Sequence, residues 1–293
     1  MGYDDGRALC RRPPPPRRRT AMALRSVPGD GPGFGLLSHR VKDHVYMIGR
    51  RGFIYTAPWI STGTTRPPSA ALLLAVGNGR FAVNAGGREI HTGAVLIPPF
   101  VPRALIARDV PVVGFHVTPS SCCYDRLAQL AAGRVRPLER DWFGDFDGAL
   151  DALFHGHYPA AGAPALYQSV LREPFRHLQA PPHGDPRGPR IRALLEQQPE
   201  LSLSQLAEQL GMSYFWASRL MRDVFGMSLR DYKAWRKLQC VFELLHSRRS
   251  LTDIAHAAGF TDSAHLSRTY QRWFGQPPSY SRNRNHVRIL RCW

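Results

Sequence analysis

Apolar positions follow two different periods along this chain, one in each half. Between residues 34 and 118, short apolar runs such as ALLLAV (71–76) and VVGFHV (112–117) alternate with glycine-rich turns. Short strands at such spacing are typical of a small barrel or jelly roll. From Ser121 onward the period becomes helical, beginning with YDRLAQLAAG. The pattern therefore predicts an α+β chain, with a small β-barrel first and helices after it.

Two further helices are predicted before the chain breaks again. In the first of them, Leu150, Leu153 and Phe154 share one face, and Gly156 stands near its end. The second, PALYQSVLREPFRHL, is predicted to be interrupted by Pro174. An apolar helical face outside the barrel needs a partner, so we expect this helical segment to carry dimer contacts.

Proline and glycine divide the chain into parts. RRPPPPRRRT (11–20) predicts a disordered leader, and Met22 is an alternative natural start. APPHGDPRGPR (180–190) predicts a linker, because no helix or strand could run far through it. The predicted parts are a leader (1–33), a β domain (34–120), a helical segment (121–179), a linker (180–189), an all-helical domain (190–283) and a basic tail (284–293).

One helix-turn-helix pattern occurs twice in the helical domain: LSQLAEQLGMSYFWASRLMRDVFG at 203–226 and TDIAHAAGFTDSAHLSRTYQRWFG at 252–275. In the first copy Ala207 stands four residues before Gly211, and in the second Ala255 stands four before Gly259. A small residue lets the second helix cross close by, and glycine allows the left-handed backbone that ends the first helix. The shared spacing predicts two motifs of the same geometry.

The second helix of each copy has one apolar face and one outward face. Phe215, Ser218, Arg219 and Arg222 form the outward face of the first copy, and Ser267, Arg268 and Gln271 lie on that of the second. Arginine can bind guanine bidentately, and serine or glutamine can serve several bases. A bridging helix at 228–247 would span roughly 28 Å, near the roughly 34 Å between successive major grooves. The tandem predicts a DNA-binding unit rather than two core helices with solvated basic faces.

Charge and cysteine content agree with this interpretation. The net charge is +17, and residues 187–293 carry 17 basic and 8 acidic side chains, a net of +9, which suits a phosphate-binding module. Charge alone would fit an ordinary basic surface equally well. The five cysteines show no metal-binding spacing, which indicates free thiols in a reducing cytoplasm. No apolar run reaches 18 residues, so we expect no membrane span.

Residues 190–283 resemble the DNA-binding domain of the AraC/XylS transcriptional regulators, through SLTDIAHAAGFTDSAHLSRTYQRWFGQPPS and LSQLAEQLGMS…SRLMRDVFGMSLRDY. The resemblance implies two helix-turn-helix units on one long helix, each placing a helix in the major groove. The base-facing residues it implies are Phe215, Ser218, Arg219, Ser263, Ser267 and Arg268. We expect three further cations to contact phosphate: Arg222, Lys233 and Arg272. Ala264 replaces a usual polar residue, so it offers no hydrogen-bond readout.

Residues 34–118 resemble the cupin-like arm of the same family. A metal-binding cupin needs clustered ligands, but the positions where they would fall hold Thr64, Arg66, Ala70 and Arg103. His44, His91 and His116 stand alone, and His155 and His157 only flank a glycine. No phosphate loop or nucleophile elbow occurs. We therefore expect no catalytic residues, metal or cofactor, and instead a domain that binds an effector or mediates dimerisation.

The sequence thus predicts a cytoplasmic, sequence-specific transcription regulator. Its expected partners are a double-stranded DNA operator, a small-molecule effector, a second copy of the chain and RNA polymerase. Two alternatives stay open: a divergent cupin-type metal enzyme fused to a DNA-binding tail, and an interaction protein whose basic helices bind an acidic partner. The effector, the target genes, the choice between activation and repression, and the oligomeric state are not determined by the sequence.

Overall fold

Most strands precede the α-helices in the described residues, 43–179 and 185–292 of this computed structural model; the two exceptions are the short strand Arg136–Pro137 and the last strand, at the C-terminal end. The predicted leader and residues 180–184 of the predicted linker lie outside the described residues. The strands are β1 (Asp43–Met47), β2 (Gly52–Ala57), β3 (Ile60–Ser61), β4 (Ala70–Ala75), β5 (Phe81–Ala85), β6 (Arg88–Thr92), β7 (Ala94–Ile97), β8 (Ala104–Ala107), β9 (Val112–Val117), β10 (Arg136–Pro137) and β11 (Val287–Arg291).

The α-helices of the described residues fall into two groups. Three follow the strands: α1 (Tyr124–Leu130), α2 (Asp147–Phe154) and α3 (Ala163–His177). The others come after residues 180–184: α4 (Gly188–Gln197), α5 (Leu203–Gln209), α6 (Tyr214–Phe225), α7 (Leu229–Leu244), α8 (Leu251–Ala257), α9 (Ser263–Phe274) and α10 (Pro278–Arg282). The α+β class predicted from the sequence is confirmed.

The strands form two sheets that do not close into a barrel. The larger has the order β10-β7-β4-β9-β2-β1-β11, and the smaller has the order β3-β8-β5-β6. Strand β1 pairs with β2 on one side and with β11 on the other. Since both of its edges are occupied, β1 has no hydrogen bonds left with which to join the smaller sheet. The prediction of a barrel is corrected on this point to two facing, open sheets.

Strand β4, in the larger sheet, is apolar at every position. Its alternate residues Leu72 and Leu74 belong to the core beneath the helices, while Ala71 and Leu73 belong to the core between the two sheets. Successive strand side chains point to opposite faces, so a strand covered on both faces must be apolar at every position. The larger sheet is therefore the middle layer of the domain.

Helices α1, α2 and α3 cover the outer face of that sheet. Leu150, Leu153 and Phe154 are buried on α2, as their shared face predicted. Helix α3 runs through Pro174 instead of breaking there, because the Leu178 N–H still bonds to the Pro174 carbonyl at 2.9 Å and closes the last turn. These apolar faces pack against the chain's own sheet. The pattern that predicted a dimer contact is thus explained without a second copy.

The predicted basic tail includes the last strand of the larger sheet. In Val287–Arg291, Val287 is buried while Arg288 and Arg291 are exposed. The strand lies parallel to β1, in a register that pairs Asp43 with Val287 and Met47 with Arg291. Apolar and charged residues alternate in VRILR, which is a strand signal that the basic composition concealed. The end of the helical domain is therefore hydrogen-bonded into the N-terminal sheet.

The two helix-turn-helix motifs contribute to different cores. Leu206, Leu220 and Phe225 of the first motif share one cluster with the sheet and α1–α3. The second motif forms a separate cluster, with Trp235 on α7, Trp273 on α9 and, partly buried, Ile289 on β11. Residues 32–293 group as one compact unit, and every described residue belongs to it. The β domain and the helical domain are thus packed together.

Candidate nucleic-acid interface

Each helix of the two motifs, and the bridging helix, begins at a side-chain N-cap. Such caps accept a hydrogen bond from a free N–H of the first turn and determine where a helix starts. Ser202 and Ser250 form full capping boxes, with Gln205 and Asp253 respectively. The other caps are Ser213, Ser228 and Asp262. The helix starts therefore follow from residues within three positions of each cap.

The tight turn in each motif has the same hydrogen bonds. The Met212 N–H bonds to the Ala207 carbonyl at 3.0 Å, and the Phe260 N–H bonds to the Ala255 carbonyl at 2.8 Å. Gly211 and Gly259, between them, have φ of 67° and 79°. Both turns are Schellman motifs, in which a left-handed residue ends the first helix. Ala207 and Ala255 are buried beneath the crossing helix. The four predicted turn residues thus form two turns of the same geometry, Ala207 with Gly211 and Ala255 with Gly259.

The first recognition helix, α6, presents three aromatic side chains to solvent at its N-terminal end. Phe215 is 82% exposed, Trp216 is 62% exposed and Tyr214 is 53% exposed. Ser218, half-buried, and the exposed Arg219 follow on the same side. N-terminal residues of a recognition helix are those that reach base edges. Tyr214 and Trp216 were missed from the sequence, although their position directly after the Ser213 cap could have indicated them.

The second recognition helix, α9, has the same length but a polar N-terminal end. Ala264 and Arg268 are exposed, while Ser263 and Ser267 are half-buried. Ser267 Oγ donates to the Ser263 carbonyl at 2.8 Å, so this hydroxyl is free only to accept from a base. The two helices align at an offset of 49 residues, which pairs Phe215 with Ala264. The two motifs therefore offer different chemistry to their half-sites.

The predicted phosphate-binding cations differ in how free they are. Arg222 and Arg272 are exposed, and the Arg272 guanidinium lies 5.7 Å from the Trp273 ring centroid. Lys233 is half-buried, with its Nζ 3.7 Å from an exposed carboxylate oxygen of Glu200. Surface pairs of this kind are weak and can exchange for a phosphate. A groove between the two motifs brings Arg222 and Lys233 together.

A mostly apolar cavity lies inside the molecule, between the sheets and the second motif. Its empty volume is about 1020 Å³, including the part open to solvent. The sheets contribute Phe53, Leu73 and Val112 to its wall, and α9 contributes Trp273 and Phe274. Strands β1 and β11 line it as well, through Val45 and Ile289 among others. The cavity therefore has one wall from the β domain and another from the DNA-binding unit.

Arg103 is the charged side chain that lines this cavity. It is only 3% exposed, and its Nε and Nη1 have no hydrogen-bond partner. Burial lowers the pKa of Arg103 to about 9, which still leaves it charged at neutral pH. His116, also in the wall, stacks on Phe53 at 4.5 Å between ring centroids. Burial, with the nearby Arg103 charge, lowers the pKa of His116 to about 3, so it is neutral.

The isolated histidines His116 and His91 have ordinary side-chain hydrogen-bond partners. His116 Nδ1 lies 3.2 Å from Ser69 Oγ, and His91 Nε2 lies 2.7 Å from a Glu89 carboxylate oxygen. Within residues 43–179 and 185–292, no three His, Cys, Asp or Glu side chains come together as metal ligands could. Among the helices of that same part of the chain, none is both long and apolar enough to span a membrane.

Comparisons with known proteins agree with this geometry. The family model described as a helix-turn-helix domain matches residues 206–284. LcrF, a thermoregulatory protein of Yersinia pestis, is 26% identical over 242 residues, which covers 76% of this chain and 84% of LcrF. ExsA, a transcriptional regulator of Pseudomonas aeruginosa, is also 26% identical over 242 residues, covering 72% of this chain and 76% of ExsA.

These matches are to regulators of the AraC/XylS family, which confirms the resemblance drawn from the sequence.

A solved structure of ToxT from Vibrio cholerae, with an unsaturated fatty acid bound, has a similar fold. Its TM-score is 0.51 at 8% identity, and the match covers 78% of this chain and 93% of ToxT. At that identity the likeness concerns the fold alone. These comparisons show an AraC/XylS-type DNA-binding transcription regulator with a C-terminal helix-turn-helix domain.

Proposed function

We propose that this regulator binds its operator through α6 and α9, and that a small molecule in the internal cavity controls that binding. The observation that carries the proposal is that the cavity wall is formed by residues of both domains. Leu73 and Val112 come from the β domain, whereas Trp273 and Phe274 come from the second recognition helix. A molecule held there touches both domains at once, so its binding is coupled to the position of α9.

The packing around the cavity supports this coupling. The Arg66 N–H, on the β domain, lies 3.4 Å from the Arg272 carbonyl at the end of α9. The Phe100 ring meets the Trp273 ring edge-on at 6.4 Å between centroids. Gln239 on α7 donates to the Arg50 carbonyl at 3.1 Å and to Ser120 Oγ at 3.2 Å. A conformational change in the β domain would therefore act on α7 and α9 through direct contacts.

We assign base readout to the six residues that the sequence predicted, with Tyr214 and Trp216 added. These are Phe215, Ser218, Arg219, Ser263, Ser267 and Arg268. In the free protein Arg219 lies 5.7 Å from the Trp216 ring centroid and 3.8 Å from an Asp223 carboxylate oxygen. Both contacts are at the exposed surface, so a base edge can replace them. Arg222, Lys233 and Arg272 serve the DNA backbone.

A second copy of the chain and RNA polymerase are proposed as further partners, in the cytoplasm where the operator lies. The buried apolar residues of α2 and α3 pack in one core with the chain's own sheet, so the proposed dimer contact would involve another surface. The ToxT structure contains a fatty acid, which supports a ligand inside this fold rather than a catalytic cupin site. The relatives LcrF and ExsA are regulators, which favours regulation over the enzyme alternative.

The operator-binding proposal is tested by selecting genomic fragments that the full-length protein retains at physiological salt. A recurring site with two half-sites about one helical turn apart supports it. The double variant Arg219→Ala with Arg268→Ala should lose the preference for that site. Retention of all fragments equally, by the wild-type protein, would instead indicate a basic surface without sequence readout.

A further inference from the structure

A second pocket, between the β1–β2 turn, α1 and α3, is lined by three cysteines. Cys122 and Cys123 stand directly before α1, and Cys292 follows β11 at the other end of the chain. Within the described residues the one other free cysteine is Cys240, on α7. The empty volume of this thiol pocket is about 1300 Å³, including the part open to solvent, and its described lining shares no residue with the internal cavity. The fold therefore gathers thiols from two distant segments at one site.

The protonation of these thiols limits the chemistry of the thiol pocket. Burial raises the pKa of Cys123; a hydrogen bond with Ser121 opposes this, and the neighbouring Cys122 thiol adds to it. Burial also raises the pKa of Cys292 to about 11. Peroxides and alkylating agents react with thiolates, so protonated thiols at Cys123 and Cys292 disfavour an oxidant sensor. A reagent that takes up the thiol hydrogens as it binds sulfur needs no standing thiolate.

The rest of the lining determines the charge and polarity of a suitable reagent. Three exposed arginines line the thiol pocket, namely Arg51, Arg126 and Arg172, and its described lining contains no aspartate or glutamate. Three positive charges oppose the entry of a free metal cation. Leu171 and Phe175 present carbon to the same space, and the Arg126 guanidinium lies 4.9 Å from the Phe175 ring centroid. A neutral thiol-binding reagent with an apolar group matches these features.

We propose that the thiol pocket binds a neutral organic compound of trivalent arsenic, with the arsenic bonded to Cys122 and Cys123 and its apolar substituent against α3. Adjacent residues have Cα atoms about 3.8 Å apart, so one arsenic can bond both sulfurs. Two thiols suffice, which agrees with the absence of a three-ligand metal cluster in the described residues. The inference goes beyond the proposed function, because it concerns a site separate from the internal cavity.

The bonding step is balanced without any further reactant. In an arsine oxide, the arsenic–oxygen bond is replaced by two arsenic–sulfur bonds, one to Cys122 and one to Cys123. The oxygen leaves as water with the two thiol hydrogens. The arsenic stays trivalent and the sulfurs are not oxidised, so neither an oxidant nor a reductant takes part.

The first test needs only the wild-type full-length protein, reduced and then freed of reductant under an inert atmosphere. Phenylarsine oxide is titrated in, and the intact mass should show one phenylarsenic group gained with the loss of one water. Iodoacetamide labelling and peptide mapping should then find Cys122 and Cys123 protected and Cys240 still labelled. Absence of the adduct, or protection of a different pair of cysteines, would overturn the proposal.

The second test compares single cysteine variants. Cys122→Ser and Cys123→Ser should each bind phenylarsine oxide about a hundredfold to ten-thousandfold more weakly, because the second bond of a bivalent contact forms at a high effective concentration. Cys240→Ser is the matched control and should behave as wild type, since Cys240 is a half-buried free cysteine outside the thiol pocket. Cys292→Ser should also change the affinity little, because one phenylarsenic group takes two thiols. Loss of binding in Cys292→Ser with retention in Cys122→Ser would contradict the assignment.

A third comparison tests the apolar part of the proposal. Phenylarsine oxide should bind the wild-type protein about tenfold more tightly than its methyl counterpart, because the phenyl ring removes more apolar surface from water. Phe175→Ala should reduce that difference, while protection of Cys122 and Cys123 in the wild-type protein needs no variant to fold. Equal affinity for the phenyl and methyl compounds in wild type would reject the placement of the substituent against α3.

Discussion

Truncation of Phe215 gives the sharpest test of how the first motif reads DNA. The ring is 82% exposed in the free protein, so Phe215→Ala should leave the stability nearly unchanged. A phenylalanine can bury roughly 150 Å² at about 25 cal/mol per Å², which sets an upper limit of about 3 kcal/mol after correction for its exposure. Partial burial in a groove makes a loss of about 1–2 kcal/mol the expected value, or about fivefold to thirtyfold weaker operator binding.

The apolar partner that Phe215 can find in the major groove is the methyl group of thymine. Replacing single thymines of the operator by deoxyuridine removes that methyl and leaves the base pairing unchanged. Wild-type protein should lose affinity at one or two positions in one half-site, measured by fluorescence anisotropy. Phe215→Ala should be insensitive at those same positions, and its affinity for nonspecific DNA should match wild type.

Two results would refute this reasoning. One is unchanged operator affinity of Phe215→Ala under conditions in which Arg219→Ala is impaired. The other is sensitivity to deoxyuridine that persists at every position after the ring is removed. Either would mean that the exposed aromatic residues of α6 meet something other than base edges.

Three further predictions concern the second motif and strand β1, which pairs with β11 at the end of the chain. Arg268→Ala should weaken binding to the preferred operator by about 1–3 kcal/mol and relax the choice of one base, which competition titrations would show. Arg272→Ala should weaken binding to all DNA and reduce the slope of log affinity against log salt by about one, which salt titrations would show. Gly259→Ala should lower stability by about 1 kcal/mol in thermal unfolding, because its φ of 79° disfavours a Cβ; Gly63→Ala, at a glycine without positive φ and with open space around it, is the control. Burial raises the pKa of Asp43 from 3.8 to about 6, so the folded state holds this proton more tightly and stability should fall as pH rises from about 4 to 7. Asp43→Asn should flatten that fall; an unchanged pH profile of unfolding would contradict the assignment.

The helix-turn-helix tandem was predictable because its signals are local. A cap such as Ser250 acts on the N–H groups of the following turn, and Gly259 determines its own backbone angle. The α7 prediction of 228–247 was longer than the observed 16 residues, Leu229–Leu244, since helix ends depend on packing beyond the pattern. The assignment of Arg268 and its neighbours to individual bases remains a prediction.

The larger sheet shows where local reasoning fails. The sequence predicts Val287–Arg291 to be part of a basic tail, because its charge dominates its alternating pattern. Its pairing with β1 joins segments more than 240 residues apart, and no residue near Val287 indicates that Asp43 will lie opposite it. The same pairing occupies the edge of β1 and leaves the sheets open, which the strand spacing could not reveal.

By itself, the sequence determined the α+β class, the order of the parts and the paired motifs with their outward-facing residues. Those features depend on periodicity, caps and turns, all of which act over a few positions. Only the tertiary structure decided that Arg103 from the β domain and Trp273 from α9 would line one cavity. Arg103 stands in the sequence as an ordinary arginine near a strand. Its significance comes from burial without a counter-charge, and burial is a property of the assembled chain.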